Sequence, residues 1–85
     1  MDRCTATEAA NLLERVARGE LKAPAALIEW PHRAESDELL NASWHDLSHF
    51  AVDLDIRQKD PRYKAYQFTR LLERVQQIKA KYGVP

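Results

Sequence analysis

Eighty-five residues carrying thirteen Lys/Arg and thirteen Asp/Glu describe one small domain, residues 1–85, of zero formal charge, and a chain of this size buries only about 60 to 65% of the surface its unfolded form exposes. No apolar run approaches the roughly 18 to 20 residues of a membrane span, no hydrophobic signal region follows Met1, and no Gly/Ser-rich tract suggests disorder. The single Cys4 excludes an internal disulfide and two glycines exclude a phosphate-cradling loop, so the expectation is a cytoplasmic protein whose modest stability favours a protein partner or a second copy.

Residues 1–4 read as a lead-in. Thr5-Ala6-Thr7-Glu8 fits a capping box, and Ala9, Leu12, Leu13, Val16 and Ala17 share one helical arc. Glu14 stands four residues before Arg18, the favourable order for a helix ion pair. Gly19 is free to take the left-handed conformation that closes a helix. The first helix is therefore expected over residues 6–18.

Pro24 suits a first turn and Pro31 disfavours helical geometry at Trp30, so a short helix is expected over residues 24–30. A helix this short is marginal in water and needs anchors. Leu27, Ile28 and Trp30 are the candidates, with Leu21 stapling against Ile28. Residues 32–35 read as a linker.

The stretch from Ser36 to Ile56 organises the rest. Leu40, Trp44, Leu47, Ala51 and Leu54 repeat at spacings of four, three, four and three, which makes a helix seam. Leu39, Ser43 and Phe50 widen it on one side, while Val52 and Ile56 lie on the far arc with His45 and His49. Apolar residues on two sides imply a central bundle helix, capped by Ser36 and opened by Asp37 and Glu38. Asp60-Pro61 starts a new helix after a tight corner, and Phe68, Leu71, Val75, Ile78 and Tyr82 carry its seam to Gly83. No segment alternates at period two. The fold class is thus all-α: a small four-helix bundle of two long antiparallel helices, about 36–57 and 61–82, with helix 6–18 and the short helix 24–30 packed across them.

Charge is segregated along the chain. Residues 1–56 hold five Lys/Arg against eleven Asp/Glu, and residues 57–85 hold eight against two. An acidic half packing on a basic helix accounts for this, as does a face that meets a charged partner.

Three clusters could carry function. Asp53, Asp55, Arg57, Arg62, Tyr63 and Tyr66 gather at the corner, where an arginine bridging Asp53 or Asp55 would pin the two long helices. With Arg70 and Arg74 they form a candidate partner-binding edge, since tyrosine and arginine commonly supply anchors. His45 and His49, one turn apart with Asp46 and Asp53 nearby, are candidate metal ligands. Asp53 lies eight residues from His45, about 12 Å along a helix, too far to share its ion. The same imidazoles packing under the short helix is the structural alternative. Finally, Arg62, Tyr63, Tyr66, Arg70, Arg74 and Lys81 share the outer face of the last helix, a pattern that can bind single-stranded nucleic acid. Glu73 and the neutral overall charge argue against it. No catalytic set is recognisable and no cofactor is implied. The leading expectation is a non-enzymatic protein-binding module, an immunity- or antitoxin-like protein being one concrete form. A metal-binding protein or metal-dependent enzyme at His45 and His49, and nucleic-acid binding through the last helix, are the alternatives.

Overall fold

The computed structural model describes residues 2–85; Met1 lies outside them. Five helices and one 3-10 turn pack together, with no strand among the described residues.

The first helix, α1, runs Arg3–Ala17 and begins earlier than the capping box suggests. Asp2 is the cap: its carboxylate accepts from the Thr5 N–H at 2.7 Å. Thr5 itself is buried within the first turn, out of place for a capping role. Glu14 and Arg18 pair at 2.7 Å. Gly19 takes φ 75°, and the Gly19 and Glu20 amides return to the Val16 and Arg15 carbonyls at 3.0 and 2.9 Å, a Schellman closure.

α2 runs Ala23–Glu29 with Pro24 in its first turn. Ala23, Ala26 and Trp30 are buried and Leu27 is half-buried. Ile28 is 84% exposed, so it neither anchors the helix nor staples to Leu21. It lies two residues from Ala26, about 200° around the helix, and the small alanines take the close face. Residues His32–Ser36 form a 3-10 turn that buries Ala34, an ordered plug where a linker was expected.

α3 runs Glu38–Val52. Asp37, not Ser36, caps it by accepting from the Leu40 N–H at 2.9 Å, while the Ser36 hydroxyl donates to the Arg33 carbonyl at 3.1 Å. The buried stripe is Leu40, Ser43, Leu47 and Phe50, rotated from the expected seam, and Trp44 and Leu54 face outward at 37% and 51% exposure. The rod expected over 36–57 is also interrupted. Asp53 leaves helical geometry at φ −96°, ψ 21°, and a separate short helix, α4, follows over Leu54–Lys59.

α5, Pro61–Tyr82, has the expected bounds. Asp60 caps it, accepting from the Arg62 and Tyr63 amides at 3.0 and 3.3 Å. At its other end Gly83 takes φ 65°, and the Val84 N–H turns back to the Lys79 carbonyl at 3.1 Å, burying Val84. Cross-links order α3 antiparallel to α5: Asp37 with Tyr82, Asp46 with Arg74, Asp53 with Tyr63. α1 packs along another side of α5, with Glu14 3.5 Å from Lys79. The core is where these faces meet, at Leu13, Leu40, Leu47, Leu71, Val75 and Ile78.

Part of the charge segregation is consumed here. Half-buried Arg74 and Lys79 and the exposed Arg70 of α5 pair with acids of the earlier helices, Arg74 and Arg70 with Asp46 at 2.6 and 3.4 Å, and Lys79 with Glu14.

Candidate functional site

The break at Asp53 builds the most polar part of the interior. Helical bonds continue on both sides of it, from the Asp53 N–H to the His49 carbonyl and from the Arg57 N–H to the Asp53 carbonyl, both 3.0 Å. Between them the Phe50 carbonyl is released from the ladder. It accepts instead from Arg57 Nη1, satisfying a backbone acceptor that would otherwise be stranded in a buried place. The same nitrogen donates to Gln67 Oε1 at 2.8 Å. Gln67 Nε2 in turn donates to Asp53 Oδ2 at 3.1 Å, and the Tyr63 hydroxyl donates to that oxygen at 2.6 Å.

Arg57 is 8% exposed, with its guanidinium 3.6 Å from the centroid of the Phe50 ring. Desolvation pulls its pKa below the ordinary arginine value, with Asp53 and Tyr63 opposing the shift. The hydrogen bond to Asp53, followed by burial, raises Tyr63 above its ordinary 10.0. The network holds the corner together, but not by the direct arginine–aspartate bridge expected: Gln67 stands between Arg57 and Asp53. Sequence reading missed Gln67. Its signal was its place, four residues before Leu71 on the buried side of α5.

The eight residues of the expected partner-binding edge therefore divide. Asp53, Arg57 and Tyr63 are committed to the network, and Arg74 is largely covered and bonded to Asp46. Asp55, Arg62, Tyr66 and Arg70 are exposed. Tyr66 stacks on Tyr63 at 6.2 Å between ring centres, and with Arg70, His49 and Asp46 these tyrosines line a shallow depression of about 200 Å³.

The histidines do not lie under α2. His45 and His49 are both exposed, His45 edge-on to Trp44 at 5.2 Å. Val52, on the same arc, is 77% exposed, and Ile56 on α4 is 49% exposed. The arc expected to be packed is bare, because α2 packs on α3 along the side that carries Asn41 and Trp44 instead. Among the described residues no three His, Cys, Asp or Glu side chains come close enough to hold a metal ion, and Asp46, the nearest candidate, is engaged by two arginines. On the outer face of α5, Arg62, Tyr66, Arg70 and Lys81 face solvent, while Tyr63 and Arg74 turn inward.

No family model, curated protein or solved structure matches this chain.

On the opposite flank of the break lies a larger groove of about 460 Å³, between the α1–α2 connection, the end of α3 and the first turns of α5. Sequence periodicity could not show it, because its walls come from three segments distant in the chain. No helix among the described residues is long and apolar enough to cross a membrane.

Proposed function

We propose that this protein is a small non-enzymatic binding module that meets a protein partner through the corner formed by α4 and the start of α5, with an immunity- or antitoxin-like role as one concrete form. One observation carries the reading. Side chains that a bundle would normally cover, Ile56 of α4, Tyr66 of α5 and Val52 at the end of α3, stand exposed at 49%, 61% and 77%, and Tyr66 shares its depression with Arg70. Tyrosine and arginine flanked by apolar contacts are the composition that concentrates binding energy in protein interfaces. The corner beneath is braced by the Arg57–Gln67–Asp53–Tyr63 network, so the surface is held in place before binding and loses little conformational entropy on it.

The experiment is affinity capture from a native lysate with the full chain, alongside a solution mass measurement and the double variant Tyr66→Ala/Arg70→Ala. Both substituted side chains are exposed, so the variant keeps its fold. The reading requires a partner retained by the native chain and released by the variant. A monomer that retains nothing, or a partner held equally by both chains, overturns it.

A further inference from the structure

The groove beside the helix break has the make-up of a ligand site. Val16, Leu21, Ala23, Phe50, Leu54 and Phe68 give it apolar walls, and its charged lining residues are Lys22, Arg57 and Lys64, with no carboxylate. In a chain with equal numbers of acids and bases, that lining is a local excess of positive charge around an apolar hollow. Its volume of about 460 Å³ falls within the range of about 300 to 1,000 Å³ typical of small-molecule sites, which pair an apolar body with a few convergent polar groups.

Arg57 supplies the convergent group. It is more than nine-tenths buried, yet both of its hydrogen bonds use Nη1. No buried side-chain nitrogen or oxygen among the described residues lacks a partner, so Nε and Nη2, which make no protein bond, are not sealed off, and Arg57 is among the residues lining the groove. Two adjacent guanidinium nitrogens match the two oxygens of a carboxylate, and such charge-assisted bonds are stronger in a partly desolvated place.

We propose that the groove binds a small amphiphilic carboxylate, its acid group on Arg57 between Lys22 and Lys64 and its hydrocarbon body against Phe50, Leu54 and Phe68. Thirteen residues line the groove, against about 20 to 30 a side in a stable protein interface, which favours a small occupant over a protein surface. A second copy across a two-fold axis would set this basic lining against the same basic lining, and like charges oppose that arrangement. The groove and the Tyr66 depression share no lining residue, although Arg57 also braces the corner, so a groove that binds no carboxylate would leave the protein-binding reading standing.

The test is an amide-resolved NMR titration of the full chain with octanoate, octanol and octyltrimethylammonium, each below its micelle-forming concentration, repeated with Lys22→Glu/Lys64→Glu. Both lysines are exposed, so the variant folds. Octanoate should move the Leu21, Leu54 and Arg57 amides, and its Kd should rise at least fivefold in the variant while that of octanol stays unchanged. The site is refuted if octanoate leaves these amides unmoved or the three probes bind alike. Sedimentation showing a dimer that buries the same residues would equally overturn it, by making a second copy the occupant.

Discussion

Arg57 lays its guanidinium 3.6 Å from the centre of the Phe50 ring and gives Nη1 to the carbonyl of the same residue. One side chain thus covers both the aromatic face and the backbone oxygen that the helix break releases. Arg57→Ala would leave the Phe50 carbonyl and Gln67 Oε1 without their donor in a buried site, at a cost of about 2 to 4 kcal/mol. Against the roughly 4 to 13 kcal/mol available to a chain of this length, that loss is large. Arg57→Lys should fall between, since an ammonium keeps the charge but cannot reproduce the planar fork. Urea midpoints of the three proteins check the order, and a loss below about 0.5 kcal/mol for the alanine variant would mean the break holds without the arginine.

Asp37 and Tyr82 tie the start of α3 to the end of α5 and set opposite limbs of the stability–pH curve. Burial pushes the Asp37 carboxyl up, but hydrogen bonds from the Tyr82 hydroxyl and the Leu40 amide outweigh it and hold the group below its ordinary 3.8. Asp2, bonded by the Thr5 amide, is lowered likewise. A carboxyl lowered on folding stabilises the fold above the unfolded pKa, and that stability is lost as pH falls through the folded value. Burial, then the bond to Asp37, raises Tyr82 above 10.0. Its contribution is full below pH 10 and is lost as pH rises through the folded value. Asp37→Asn keeps a good helix cap but loses the charged acceptor, so it should lower the neutral plateau toward the acid-side value and thereby flatten the acid limb. Tyr82→Phe should weaken both limbs. Thermal midpoints between about pH 2 and 11 measure this, and an unchanged acid limb in Asp37→Asn would remove Asp37 from the account.

His45 and His49 are exposed on the bare arc of α3, so they support neither the core nor α2. His45→Gln/His49→Gln should change stability by no more than about 0.5 kcal/mol, the usual range for surface substitutions. A denaturation curve for the double variant decides it. A larger loss would return the imidazoles to a structural role.

How much of this was legible depends on where each feature is encoded. The 3.6-residue period, Gly19, Pro24 and Asp60-Pro61 act within a few neighbours, and they placed α2 and α5 to within a residue. The break at Asp53 is stabilised by Arg57 and by Gln67, fourteen positions away, so a continuous apolar pattern ran straight through it. The seam was misjudged for a related reason. Ser43 fits the buried row because its hydroxyl can donate back to the Leu39 carbonyl at 2.9 Å, while the larger Trp44 sits at the rim. The corner cluster was found as a set of residues, but which of them bond inward and which face solvent is decided by α5 packing, not by spacing.

Trp30 and Ile28 separate what the short helix needs from what it merely carries. Both are large, apolar and close to Pro31, yet Trp30 is 7% exposed and Ile28 84%. Trp30 stands four residues after Ala26 on the face that meets the core, whereas Ile28 points the other way. Removing the indole should cost about 3 to 5 kcal/mol through lost burial and the cavity left behind, enough to threaten folding. Trp30→Phe, which keeps most of the volume, makes the comparison measurable if the alanine variant fails to fold. Ile28→Lys deletes as much apolar surface by name but little that is buried, and should stay within about 0.5 kcal/mol of the native chain. Equal losses at the two positions would mean that α2 packs through a different face.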